Sequence, residues 1–275
     1  MTPRIPLVRL IALAAAGLWI LPLSPGALAE THGGTAAPAT HASSPARDQS
    51  SAVYYRTVQI DGLDVFYREA GPANAPVVLL LHGFPASSFM YRDLIERLAG
   101  QFHVIAPDYP GFGYSAAPPT EAFAYTFDGL ADVIEKFTDR LGLGRYAIYM
   151  QDFGGPVGFR LASGHPDRVS ALIIQNANAY EEGLPEDFWA LPRSLWKDPS
   201  PDNFAKIREA AISDAALQWN YTHGVKDLAR IDPDSWVLQQ ALVNRPGWPC
   251  STTTGRTSTA TRHGTGISAT ISRRR

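Results

Sequence analysis

The stretch Tyr149-Met150-Gln151-Asp152-Phe153-Gly154-Gly155 decides how this chain is read. Residues 146–150 are mostly apolar and read as a strand, and residues 154–162 read as the helix after it. A strand that becomes a helix in a single step lifts the side chain at the turn above the sheet. A small residue two positions later then lets the helix pack closely. The lifted group here is the carboxylate of Asp152, with Gly154 at the second position. Asp is also a favoured helix N-cap, but the motifs on either side favour a nucleophile.

Working outward, residues 54–60 and 63–68 alternate around Asp61-Gly62. They read as a β-hairpin whose turn needs the positive φ angles that Asp-Gly supplies. Val77-Val78-Leu79-Leu80-Leu81 is a continuous aliphatic run, the pattern of a parallel strand buried on both faces. It stops at His82-Gly83-Phe84-Pro85. Val104-Ile105-Ala106 is another such strand, followed by a Gly/Pro-rich loop over 109–119. A helix over about 127–141 places Leu130, Val133, Ile134, Phe137 and Leu141 on one face. Residues 171–174 make a further strand. Strands alternating with helices at this spacing predict an α/β fold with a doubly wound, mostly parallel sheet. Ligands of such sheets lie beyond the carboxyl ends of the strands. Functional residues are therefore expected just after Leu81, Ala106, Met150 and Ile174.

His82-Gly83-Phe84-Pro85, the loop Pro107-Asp108-Tyr109-Pro110-Gly111-Phe112-Gly113-Tyr114-Ser115, and Gln151-Asp152-Phe153-Gly154-Gly155 occur in this order. Together they resemble the α/β-hydrolase branch that contains haloalkane dehalogenases and epoxide hydrolases. The resemblance covers about residues 54–247. It implies an Asp nucleophile, an oxyanion hole and a helical cap. An aspartate with an ordinary pKa of about 3.9 is ionised at neutral pH and can attack an sp³ carbon without a base. A halide or an epoxide oxygen leaves and an alkyl-enzyme ester remains. A histidine-activated water must then attack that ester, with the backbone N–H groups of Phe84 and Phe153 as oxyanion donors. In this pattern His82, Gly83 and Pro85 organise the loop, and His82 is expected to bond backbone groups rather than act as the base. Ser115 imitates a serine elbow, but Pro118 and Pro119 forbid the helix that should follow.

Residues 183–247 stand in the place of the family's helical cap, after a core over 52–182. Trp189, Trp219 and Tyr221 are its candidate pocket residues, although most such aromatics, Trp196 and Trp236 among them, pack a cap onto a core. Two departures leave the substrate open. Haloalkane dehalogenases usually carry a tryptophan directly after the nucleophile, where Phe153 has no N–H to hold a halide. Epoxide hydrolases favour a histidine directly before it, where this chain has Gln151.

From Trp248 to Arg275 there is no acidic residue, and Thr, Ser, Gly and Arg dominate without any strand or helix period. The family would continue here with two strands, an acid and the catalytic histidine. His223 falls in the cap and His263 in this stretch, so neither matches. A reading-frame shift near Gly247 is the expectation, with 248–275 a disordered tail and residues 171–174 left as a bare sheet edge.

At the other end, Arg4 and Arg9, the apolar run 11–23 and Ala27-Leu28-Ala29 have the order of a secretory signal over 1–29. Export is expected, with a flexible leader over 30–51 and no stable membrane association after cleavage. A net charge of -2 supplies no basic field for nucleic acid, and the single cysteine, Cys250, excludes an intrachain disulfide. No metal or organic cofactor is implied. The leading expectation is a hydrolase that forms an alkyl-enzyme ester on a small apolar haloalkane or epoxide but does not complete turnover. The rivals are a non-catalytic binder of small ligands and an ester hydrolase.

Overall fold

A computed structural model describes residues 52–180, 185–198, 200–246 and 248. The expected signal segment, the leader to residue 51 and residues 249–275 lie outside them. The hairpin forms as the turn chemistry requires. Strands β1 (Val53–Ile60) and β2 (Leu63–Ala70) pair antiparallel. Asp61 and Gly62 between them have φ of 49° and 82°.

Four further strands follow: β3 (Val77–Leu81), β4 (His103–Pro107), β5 (Tyr146–Gln151) and β6 (Val169–Gln175). The sheet order is β1-β2-β4-β3-β5-β6. β2 runs antiparallel to β4, and every pairing from β4 to β6 is parallel. Side chains alternate between sheet faces, so β3 feeds two cores. Leu79 and Leu81 join Ile105, Ile148 and Met150 on the face covered by helices α2 (Phe127–Arg140) and α3 (Gly154–Gly164). Val78 and Leu80 join Val104 and Ala106 on the opposite face, covered by α1 (Arg92–Leu98) through Ile95. The sheet is thus wound on both faces. Helix α1 was not anticipated because seven residues show too few turns for an apolar period. Thr126 opens α2, its hydroxyl accepting the Gly129 N–H.

Four helices fill the place expected for a cap: α4 (Glu186–Lys197), α5 (Pro201–Ile212), α6 (Asp214–Thr222) and α7 (Asp234–Val243). Each packs on the next in chain order. Two arginines tie them to the core. Arg92 on α1 donates to Asp232 at 2.9 Å and to Ser235 at 3.0 Å. Arg245, just after α7, donates to the carbonyls of Gly113 and Ser115 at 2.5 and 2.8 Å.

At the far side, β6 is the last strand of the described sheet. Leu172, Ile173 and Ile174 are 40%, 43% and 50% exposed. One boundary needs correction. The composition of 248–275 puts Trp248 in a disordered tail, yet it is buried among Ile212, Leu217 and Val243 and packs against Phe84. A large indole gains more by burial than the local composition around it suggests.

Candidate functional site

Asp152 occupies the turn between β5 and α3 with φ of +52°. A non-glycine residue in this region is uncommon, and Asp and Asn tolerate it best. The conformation throws the carboxylate away from its own helix. The residue at the N-cap position is Phe153, and α3 has no side-chain cap. Oδ1 of Asp152 instead accepts the Phe84 N–H at 2.7 Å, across 68 positions of chain, and the Phe153 N–H also bonds to the carboxylate. Desolvation pushes the Asp152 pKa above its ordinary value, outweighing these two amides, which pull it down.

Glycines make this convergence possible. A Cβ on Gly154 would stand 2.2 Å from the Leu81 carbonyl oxygen, so only glycine lets α3 lie this close to β3. A Cβ on Gly83 would stand 2.6 Å from that of Asp152. Without Gly83 the loop after β3 could not bring the Phe84 amide to the carboxylate. Pro85 follows through a cis peptide.

His82 is fully buried under the site. Its Nδ1–H donates to the Gly83 carbonyl at 2.9 Å, and Nε2 accepts the Tyr109 N–H at 3.3 Å. Burial lowers its pKa more than the nearby Asp108 carboxylate and the Gly83 carbonyl raise it. The ring is therefore neutral with both nitrogens committed to backbone, and it lies against Tyr109 with centroids 4.3 Å apart. Asp108, not singled out from sequence, holds the next loop. Its Oδ1 accepts the Ser88 N–H and its Oδ2 the Tyr114 N–H, at 2.7 and 2.8 Å. The signal for it was a lone acid at the carboxyl end of a buried strand. Ser115 donates to the Asp108 carbonyl and accepts the Phe66 N–H, so its hydroxyl is occupied in holding the loop.

Aromatic rings wall the space around Asp152. Phe153 lies 5.3 Å from Phe84 and 4.8 Å from Phe127 between centroids, and Trp248 lies 6.2 Å from Phe84 and 6.5 Å from Phe112. Of the candidate pocket residues, Trp219 is 57% exposed and stacks on His223, which turns it to solvent. That assignment is corrected: α6 presents Leu217 to the interior and Trp219 to the outside. Tyr221 donates to Gln239 on α7, and Trp189 is half-buried on α4. The tryptophan beside Phe84 is Trp248, hidden from sequence reading by the tail composition around it. Among the described residues no group of three His, Cys, Asp or Glu side chains could hold a metal ion.

Comparison with known proteins places this geometry in context. A family model described as the alpha/beta hydrolase fold matches residues 76–242. The chain is 44% identical over 196 residues to an uncharacterized hydrolase of Saccharomyces cerevisiae, covering 70% of this chain and 67% of that protein. It is 46% identical over 103 residues to haloalkane dehalogenase 2 of Mycobacterium tuberculosis, covering 38% of this chain and 35% of that one. The chain thus spans about two thirds of the first relative and about a third of the second. Among solved structures, an epoxide hydrolase from Vigna radiata superposes with a TM-score of 0.60 at 21% identity, covering 74% of this chain and 70% of that one. A haloalkane dehalogenase from Bradyrhizobium elkani superposes at 0.59 and 24%, covering 74% and 68%. At these identities the two structures speak for the fold alone.

Proposed function

The chain belongs to the α/β-hydrolase fold family and is similar to its haloalkane dehalogenase-like branch, and from that premise we propose that Asp152 is a nucleophile toward small apolar substrates with an electrophilic sp³ carbon. The observation that carries this reading is the Asp152 carboxylate at +52°, gripped by the amides of Phe84 and Phe153 inside an aromatic wall. Oδ1 is held by Phe84, so the other oxygen attacks. A C–O bond forms as the C–halogen bond, or an epoxide C–O bond, breaks, and the departing atom takes the electron pair. Oδ1 becomes the ester carbonyl. When water adds to Cγ, the oxyanion grows on Oδ1, to which the Phe84 amide already donates, while the Phe153 amide also bonds to the carboxylate. The aromatic wall suits an apolar substrate and strengthens these hydrogen bonds by excluding water.

Completion of the cycle needs a base for the attacking water, and each described histidine is engaged elsewhere. His82 has both ring nitrogens on backbone. His103 bonds Glu69 and His165 bonds Glu135. His223 is exposed and stacks on Trp219. On this reading, with none of these four described histidines free to activate water, the cycle stops at the ester.

Intact mass spectrometry after incubation with a 1-bromoalkane or styrene oxide tests this. One adduct per chain is expected, mapped to Asp152 and absent from Asp152→Ala. The bromoalkane contributes only its alkyl group, whereas the epoxide adds whole. An adduct that survives in Asp152→Ala, or sustained turnover by the purified chain, refutes the proposal.

A further inference from the structure

A largely open cavity of about 370 Å³ is lined by Tyr55, Phe66, Arg68, Phe89, Tyr114 and Leu238. Its volume is in the range of small-molecule sites. In the sheet order, β4 and β3 separate β2, which carries Arg68, from β5, which leads to Asp152. Three strand spacings place the two sites about 14 Å apart.

Arg68 is 6% exposed, an unusual position for a guanidinium. Among the described residues it forms no ion pair. The adjacent Glu69 is committed to Arg56 and His103. The two oxygens of Asp108 are taken by the amides of Ser88 and Tyr114. The partners of Arg68 are instead neutral. Nε donates to the Ser88 hydroxyl at 3.1 Å, and the guanidinium carbon lies 5.1, 5.7 and 5.5 Å from the ring centroids of Tyr55, Phe66 and Phe89. These rings hold the planar head in place. Neither terminal nitrogen is a buried orphan, and both belong to a side chain that lines the cavity. A buried cation with no counter-charge is costly, and a fixed guanidinium fork matches a carboxylate in two parallel hydrogen bonds.

We infer that this cavity binds a small monocarboxylate with an apolar body, its carboxylate on Arg68 and its body against Phe66, Phe89, Tyr114 and Leu238. A single cation suits one negative charge better than a phosphate dianion, and the remaining wall is aromatic and aliphatic. Tyr114 and the turn that bears Phe89 both attach to Asp108 through its carboxylate, directly or by way of Ser88. The occupant therefore rests on the loops that follow β3 and β4.

Isothermal titration of the full chain with benzoate tests the inference. One site per chain is expected, with benzamide and inorganic phosphate each binding roughly tenfold or more weakly. Arg68→Met should weaken benzoate by a similar factor. Leu238→Trp, which fills the cavity and leaves the cation in place, should do the same and carries the test should Arg68→Met not fold. Binding should persist in Asp152→Asn, since that residue lies in the other site. Unchanged affinity in Leu238→Trp, loss of binding in Asp152→Asn, phosphate binding as tightly as benzoate, or no heat at millimolar benzoate would each overturn it.

Discussion

Asp152 holds its charge at a cost. Its pKa is raised by burial, so the folded state binds the proton more tightly than the unfolded chain does. The folded state therefore loses stability as pH rises through the raised value, and none of that loss is felt below the ordinary value of about 3.9. Asn keeps the oxygen that accepts the Phe84 amide and tolerates positive φ. Asp152→Asn should therefore melt higher than the parent at pH 7, by about 2–4 °C for each kcal/mol regained. The two melting curves should converge below about pH 4. Equal melting temperatures at both pH values would show that the carboxylate is not strained by burial. Much of this residue's setting was legible in Gln151-Asp152-Phe153-Gly154-Gly155, because the strand-to-helix step and its glycine are local features. The direction of the pKa shift was not. Desolvation depends on Phe84, Phe153 and the other rings that the fold brings round the carboxylate, and an ordinary value was the sequence-based expectation.

Arg245 shows what one side chain does between elements. Through two carbonyls it fastens the end of α7 to the loop after β4, while its Nε is buried with no hydrogen bond. Hydrogen bonds from a charged donor to buried acceptors contribute about 1.5–3 kcal/mol each, before the desolvation of the guanidinium is set against them. Arg245→Met should lower stability by about 2–4 kcal/mol. Faster amide exchange in residues 109–117 should accompany it, with exchange in α2 unchanged. If exchange accelerates equally in α2, the contact is part of the global core rather than a local clasp. The elements themselves were largely readable. The aliphatic runs of β3 and β4, the period of α2 and the Asp61-Gly62 turn each carry a signal within a few residues. Helix α1 and the bond from Arg245 to Gly113 were not, the first for want of length and the second because it spans 132 positions.

The described sheet ends at β6, where Leu172, Ile173 and Ile174 are exposed. An uncovered apolar edge invites pairing with other chains. Light scattering at rising concentration should show self-association, and Ile173→Lys should suppress it by placing a charge on the edge. Concentration-independent scattering by the parent would remove β6 as an association surface. At this scale the sequence determined the winding of the sheet, the hairpin and the elbow at Asp152, since each follows from periodicity or turn chemistry over short spans. Tertiary structure alone decided which side chains meet. It brought Trp248 to Phe84, turned Trp219 outward and enclosed Arg68 among three rings. The reason is physical: period and turn are written into neighbouring residues, whereas burial and charge compensation are sums over groups that only the folded chain brings together.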